Sequence, residues 1–146
     1  MKAIIQRVHN AKVDIENKTV GSIQNGILVL LGISKEDKDI NIEKTIKKII
    51  NLRIFNDENG KMNLSVLDTK GEILVVSNFT IYGDTKKGNR PSYINAQSPE
   101  LAEQIYNDFV KKLKLQYPYK ISTGKFQADM QISLVNDGPV TLIVEN

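Results

Sequence analysis

Two uninterrupted apolar runs of strand length constrain the fold more than any other feature of the sequence. They are GILVLLGI at residues 26–33 and the first half of EILVVSNFTIY at residues 72–82. A strand that is apolar on both faces must be covered on both faces. The rest of the sequence predicts several more strands but only two helices. Two helices cannot cover both faces of so many strands. The sequence therefore predicts an α/β fold with three layers, β/β/α, in which two mostly antiparallel or mixed sheets pack together and both helices lie on one outer face.

Both helices are predicted from the helical spacing of apolar residues and from capping signals. The first lies within residues 39–55, where Asp39 or Asn41 can cap its start. Its predicted buried face comprises Ile42, Ile46, Ile49, Ile50 and Arg53. The second begins with Ser98 as the N-cap and Pro99 at the first helical position. Its predicted buried face comprises Leu101, Ala102, Ile105, Phe109 and Leu113.

The other strands are predicted from short apolar or alternating runs. These runs are residues 3–8, 11–16, 19–23, 130–135 and 140–145, with a further strand, turn and return strand in 54–66. Asn25-Gly26 is typical of a hairpin turn. Asn-Asp-Gly-Pro at 136–139 is ordinary turn chemistry, yet its proline opens an apolar strand. This stretch either reverses the chain or holds a rigid piece of backbone out for a ligand.

Composition narrows the class of protein. The chain has 146 residues and no cysteine, which predicts one domain, residues 1–146, and excludes disulfides, thiol catalysis and zinc–thiolate sites. No apolar run is long enough for a membrane-spanning helix, and the N-terminus is typical of a first strand rather than a signal peptide. We expect a soluble globular protein. Its net charge of +3 permits a weak, salt-sensitive attraction to nucleic acid.

The usual catalytic sets are absent from the sequence. His9 is the one histidine, and without a paired nucleophile it is interpreted as a surface or strand-end residue. There is no HExxH, GxGxxG or Walker motif, so neither a metal site nor a nucleotide cradle is predicted, and we expect no cofactor.

Two polar stretches interrupt apolar strands. In VVSNFTIYGD (75–84), strand alternation would place Asn78 and Thr80 on one face and Ser77 and Phe79 on the other. Taken alone, this stretch is typical of a strand end with ordinary hydrogen bonds. The second stretch is NDGPVT (136–141), which alone is typical of a turn.

Together these stretches resemble the D-aminoacyl-tRNA deacylase family. SNFTIYGD resembles that family's serine–glutamine–phenylalanine–threonine motif, and NDGPVT resembles its glycine–proline–valine–threonine motif. The resemblance also covers the N-terminal strand, GILVLLGI, LRIFNDENGKMNLSV, GNRPSY and TGKFQADMQISLVNDGPVT, in order along almost the whole chain. One departure is Asn78, which stands where the family usually has glutamine.

The resemblance implies an activity and an assembly. The family hydrolyses the ester between a D-amino acid, or glycine, and the 3′ adenosine of tRNA, and it spares L-aminoacyl-tRNA. It is a cytoplasmic homodimer without a metal, and its glycine–proline peptide is cis and enters the partner's active site. Two alternatives remain: a non-catalytic RNA-binding module of the same fold, and a small-ester or peptide hydrolase with no RNA partner.

The resemblance also assigns roles to residues. The stretch Ser77, Asn78, Phe79 and Thr80 is expected to be catalytic, with backbone N–H groups near Phe79 and Thr80 as oxyanion donors and Thr80 as the best single candidate. The expected substrate-binding residues are Gly138, Pro139, Val140, Thr141, Arg7, Met130 and Tyr93.

The irregular segment 83–97 is the predicted RNA contact. It is too long for a simple connection and carries Lys86, Lys87 and Arg90. These side chains are expected to bind phosphates of the acceptor stem, although a solvated loop would have the same composition.

Overall fold

The computed structural model describes all of residues 1–146. It contains eight strands, two α-helices and one turn of 3₁₀ helix at Phe79–Tyr82. The strands are β1 (Lys2–Ile15), β2 (Lys18–Ile23), β3 (Gly26–Gly32), β4 (Phe55–Asn56), β5 (Met62–Leu64), β6 (Glu72–Ser77), β7 (Ile121–Thr123) and β8 (Gln131–Glu145). The helices are α1 (Asp39–Asn51) and α2 (Pro99–Gln116).

Six strands form one mixed sheet in the order β2-β1-β3-β6-β7, with β8 on the free edge of β1. β1 is antiparallel to β2, β3 and β8, whereas β3, β6 and β7 run parallel to one another. A separate antiparallel ribbon consists of β4 and β5. The predicted fold class, a mixed α/β protein with two sheets and two helices, is confirmed.

The two apolar runs are buried on both faces, as predicted. On one face, alternate residues such as Val29 and Val75 pack in the larger core with Ile46 of α1 and Phe109 of α2. Both helices therefore cover this face. Neither helix is long and apolar enough to cross a membrane.

The opposite face is covered by the same sheet folding over itself. Leu28 and Leu74 pack there with Val13 of β1 and Ile23 of β2 in a second core. β2 also contacts β7, where the Ser122 hydroxyl donates to the Ser22 carbonyl over 2.9 Å. The curled sheet thus provides the second β layer above the helices.

Two predictions for the start of the chain are wrong. Residues 3–8 and 11–16 belong to one strand, β1, because β8 pairs with it along both halves. Asn25-Gly26 does not close a hairpin, since β3 pairs with β1 instead of β2 and neither residue has a positive φ. Glycine is required at 26 because a Cβ there would lie 1.9 Å from the Glu72 carbonyl oxygen.

The helix predictions need smaller corrections. α1 ends at Asn51, so Arg53 lies beyond it, and its N-cap is Lys38 rather than Asp39 or Asn41. Asn41 contributes differently, because its side-chain oxygen accepts the Lys38 N–H over 2.9 Å.

The start of α2 at Ser98 and Pro99 is confirmed. Leu101, however, is 49% exposed, so its predicted burial is wrong. Tyr106 is buried instead, and its hydroxyl donates to the Val75 carbonyl over 3.0 Å.

Of the two alternatives left open for residues 136–139, reversal of the chain is wrong. β8 continues in one direction from Gln131 to Glu145 and pairs with β1 on both sides of this stretch. The long-range pairing with β1 overrides the local turn preference.

Candidate functional site

A cavity of about 710 Å³ opens at the carboxyl ends of the parallel strands. Leu31 at the end of β3 and Val76 and Ser77 at the end of β6 form its floor, and Pro99 and Ala102 bring in the start of α2. The carboxyl edge of parallel strands is where α/β sheets commonly bind ligands, because the chain leaves the sheet there in loops. Most lining residues are apolar.

Residues 77–80, here called the SNFT stretch, form one wall of this cavity, but they do not continue the strand. β6 ends at Ser77, and Phe79–Tyr82 is a 3₁₀ turn, so the predicted alternation of residues 77–80 is wrong. The Asn78 side-chain oxygen caps this turn: it accepts from the Thr80 N–H over 3.1 Å and from the Thr80 hydroxyl over 2.6 Å. This local capping replaces the strand ladder.

The capping arrangement defines what Thr80 can do. Its hydroxyl hydrogen points to an amide oxygen, which is not a base, so its free lone pairs can accept a hydrogen bond. Its N–H is already bonded to Asn78. The N–H of Phe79, at the first position of the turn, has no partner within the turn.

Aromatic and sulfur side chains complete the cavity. Phe79 is 59% exposed, and its ring lies edge-on to Tyr93, with 5.1 Å between ring centroids. Met130 lines the cavity from a separate segment of the chain, the one that follows β7. The structure therefore brings six predicted site residues to one cavity: Ser77, Asn78, Phe79, Thr80, Tyr93 and Met130.

The Gly138-Pro139 stretch lies elsewhere and projects from β8. Gln6 pairs with Thr141 and Val8 pairs with Asn136, so residues 137–140 all lie opposite Arg7 alone. The peptide bond between Gly138 and Pro139 is cis, as the resemblance implied, and both residues are exposed. Neither these two residues nor Val140 and Thr141 line the cavity of their own chain.

Both ends of this projection are held by polar contacts. The buried Arg7 places its Nε 2.9 Å from the Asp137 carboxylate and 3.2 Å from the Asp137 carbonyl oxygen, and its Nη1 donates to the Ile54 carbonyl over 2.6 Å. At the other end, the Val140 N–H donates to the Asn136 side chain over 2.9 Å. Arg7 thus supports the projection and does not line the cavity.

His9 belongs to the same group of contacts. Its Nε2 lies 3.4 Å from the Asp137 carboxylate, and its Nδ1 lies 3.2 Å from the Asn25 side-chain oxygen. It is exposed and does not line the cavity. No group of three or more histidine, aspartate or glutamate side chains is arranged to hold a metal ion.

The basic segment leaves the cavity wall after the 3₁₀ turn and returns at Tyr93. Lys86, Lys87 and Arg90 are exposed, and none of them forms an ion pair. None lines the main cavity, although Lys86 borders a smaller depression of about 280 Å³ beside Tyr82. Burial raises the pKa of Tyr82 to about 12, so this phenol is neutral at ordinary pH.

Sequence reasoning missed the wall formed by residues 126–129. This segment follows β7, which is parallel to β6, so it leaves the sheet at the same carboxyl edge as the SNFT stretch. It has no periodicity, and Gln127 has a positive φ of 61°. This wall could have been predicted only from the parallel order of β3, β6 and β7, and the sequence alone does not establish that order.

Comparisons with known proteins agree with this geometry. The family model described as D-Tyr-tRNA(Tyr) deacylase matches residues 4–145. A D-aminoacyl-tRNA deacylase of Thermosipho africanus is 58% identical, covering 100% of this chain and 97% of that protein. One of Desulfatibacillum aliphaticivorans is 55% identical, covering 100% and 99%. The chain belongs to the D-Tyr-tRNA(Tyr) deacylase family.

Two solved structures share the fold. One is named c-Myc DNA Unwinding Element Binding Protein and superposes with a TM-score of 0.96 at 45% identity, covering 100% of this chain and 99% of that one. The other, a probable eukaryotic D-amino acid tRNA deacylase, superposes with a TM-score of 0.82 at 14% identity, covering 98% and 97%. At that identity the second match supports the fold alone.

Proposed function

We propose that this protein is a D-aminoacyl-tRNA deacylase, a hydrolase that cleaves the ester between a D-amino acid, or glycine, and the 3′ adenosine of tRNA in the cytoplasm. The observation that carries the proposal is the family match over residues 4–145, together with the position at an apolar cavity of the SNFT stretch that resembles the family's motif. Water adds to the ester carbonyl carbon, the bond to the ribose oxygen breaks, and that oxygen takes up a proton. The products are the free amino acid and tRNA.

The cavity supplies positioning rather than a strong nucleophile. An aminoacyl ester is already activated, so orientation and oxyanion stabilisation are sufficient to accelerate its hydrolysis. The Phe79 N–H is the proposed oxyanion donor, because the Thr80 N–H is bonded to Asn78. The Thr80 oxygen accepts a hydrogen bond from the attacking water or from the 2′-hydroxyl of the tRNA. Its hydroxyl has no neighbouring base, which argues against a covalent threonine intermediate.

Chiral selection is assigned to Gly138-Pro139 acting from a second subunit. The projection is exposed and does not line its own chain's cavity, so a homodimer would supply it in trans. Exposed apolar residues of β8, including Leu142 and Ile143, support such a contact. The contacts of Arg7 and Asn136 hold the projection in place. Its carbonyl oxygens would accept the substrate ammonium, and its proline ring would exclude an L side chain while admitting glycine.

The tRNA is proposed to approach over the basic segment. Lys86, Lys87 and Arg90 would contact phosphates without reading sequence, and Tyr93 would stack on the terminal adenine. The alternative is a nucleic-acid-binding module without catalysis. It is favoured by the name of the 45% identical structure, which describes a DNA-binding protein. A small-ester hydrolase would instead cleave free D-amino acid esters as well as the tRNA ester.

The test is hydrolysis of matched D-tyrosyl-tRNA and L-tyrosyl-tRNA by the purified protein, with and without a chelator. Loss of the D-ester alone is the expected result. Binding of tRNA without hydrolysis of either ester would favour the non-catalytic alternative. Equal rates on D-tyrosyl-tRNA and on D-tyrosine methyl ester would favour the small-ester hydrolase.

A further inference from the structure

One charged side chain lines the main cavity. Its other lining residues are apolar or carry neutral polar groups, and Asp129 is the one lining residue whose side chain is a carboxylate. Asp129 lies on the wall formed by residues 126–129, a different segment from the one that holds Phe79, Thr80 and Tyr93. It is exposed and forms no ion pair within the chain.

An isolated carboxylate in a largely apolar cavity favours one kind of ligand group. A cation that leaves water for an apolar surface loses hydration, and an opposite charge compensates for that loss. The same carboxylate repels phosphate groups. The cavity therefore accepts a cationic group at this wall, while the unpaired Lys86, Lys87 and Arg90 attract anions on the adjoining segment.

We infer that Asp129 binds the α-ammonium group of the aminoacyl ester. This inference rests on the proposed function and adds a substrate-binding residue to it. The carbonyl oxygens of Gly138 and Pro139 are neutral acceptors, so they can direct the ammonium but do not balance its charge. Asp129 provides that charge within the subunit that also holds Thr80, and charge-assisted hydrogen bonds are stronger than neutral ones.

The arrangement also orients the substrate. An aminoacyl-tRNA end is positive at the amino acid and negative at the phosphates. With Asp129 on one wall and the basic segment continuing from another, the correct orientation is attractive at both ends and the reversed one is repulsive at both.

The test compares two stable amide analogues of the substrate end. One is 3′-amino-3′-deoxyadenosine acylated with D-tyrosine, and the other is acylated with the matching D-hydroxy acid, in which a hydroxyl replaces the ammonium. Asp129→Asn should weaken binding of the ammonium analogue about tenfold and leave the hydroxy analogue nearly unchanged. Asp129→Glu should restore part of the affinity. Glu103→Gln, an exposed charge change outside the cavity, should alter neither dissociation constant.

The result that overturns the inference is a loss of affinity in Asp129→Asn that is equal for both analogues, or no loss for either. An equal loss would mean that Asp129 only shapes the wall. Hydrolysis of D-tyrosyl-tRNA by the unchanged protein is measured in parallel. If that protein binds the ammonium analogue through Asp129 but hydrolyses no ester, the proposed function fails and the ammonium contact stands. If it binds neither analogue, both fail.

Discussion

The SNFT wall and the Gly138-Pro139 projection are both polar interruptions of apolar strands, yet they are built in opposite ways. The first lies at the end of a central strand, and its polar groups satisfy one another through Asn78. The second lies midway along an edge strand, and the buried Arg7 of the neighbouring strand forms an ion pair with its Asp137. The proposed positioning of the reacting groups and the proposed stereochemical selection thus depend on separate supports, and we expect that each can be disturbed without the other.

The largest effect is expected at the SNFT wall. Thr80→Val removes the oxygen that is proposed to accept a hydrogen bond from water or the 2′-hydroxyl, and we expect kcat to fall about a hundredfold with little change in KM. Thr80 is exposed, so the free energy of unfolding should hardly change. Single-turnover hydrolysis of D-tyrosyl-tRNA measures the effect. Thr80→Ser, which keeps the hydroxyl, should retain most of the rate. A fully active Thr80→Val protein would remove Thr80 from the mechanism.

Gly138→Ala should disturb the projection next most strongly. An added Cβ would lie 2.8 Å from the Val140 side chain and 3.1 Å from the Arg7 guanidinium, at a φ of +126°. We expect a loss of about 2 kcal/mol in the free energy of unfolding, measured in urea. Gly60→Ala is the matched control, because Gly60 also has a positive φ but nothing within 4 Å. Equal losses in both variants would show that the collision contributes nothing.

Pro139→Ala tests selection directly. Removing the ring removes the proposed wall, so hydrolysis of L-tyrosyl-tRNA should rise about tenfold while the rate on the D-ester stays the same. The measurement is the ratio of kcat/KM values for the two esters. An unchanged ratio would contradict the proposed role of this element, and a fall in both rates would indicate a structural role instead.

Asn78→Ala should have the smallest effect. It removes the cap of the 3₁₀ turn, which is worth about 1 kcal/mol in the free energy of unfolding, and it frees the Thr80 hydroxyl to rotate. A several-fold drop in kcat is expected, and Asn78→Asp, which keeps the accepting oxygen, should recover it. Asn51→Ala removes an exposed side-chain bond at the end of α1 and serves as the control. If Asn78→Asp is as slow as Asn78→Ala, the amide nitrogen matters more than the cap.

The sequence brought out the SNFT stretch as a candidate site but did not predict how its residues are arranged. After an apolar strand, we expected residues 77–80 to continue the strand, with side chains alternating between its two faces. This expectation was wrong because the Asn78 side chain accepts the Thr80 N–H and caps a 3₁₀ turn instead. Asp129 escaped notice because its segment lies near Thr80 only through the parallel order of β3, β6 and β7.

The sequence singled out the residues of the projection but did not predict that the chain continues in the same direction on both sides of it. Asn-Asp-Gly-Pro has the composition of a turn, and only the pairing of β8 with β1 on both sides makes it a bulge. The contact between Arg7 and Asp137 joins residues far apart in the chain, so no local pattern could place Arg7 beneath the projection. By contrast, the layers and the two helices followed from apolar periodicity, which is a local property.

The bulge in β8 has an evolutionary consequence. The two halves of this strand pair with β1 independently, one from Asn136 backwards and the other from Thr141 forwards. Residues 137–140 therefore form an exchangeable insert: its length and tip can vary while the hydrogen-bonded halves keep the fold. Under the proposed function, a lineage, or a designer grafting loops, could alter the proposed chiral selection without rebuilding the cavity that holds the SNFT stretch.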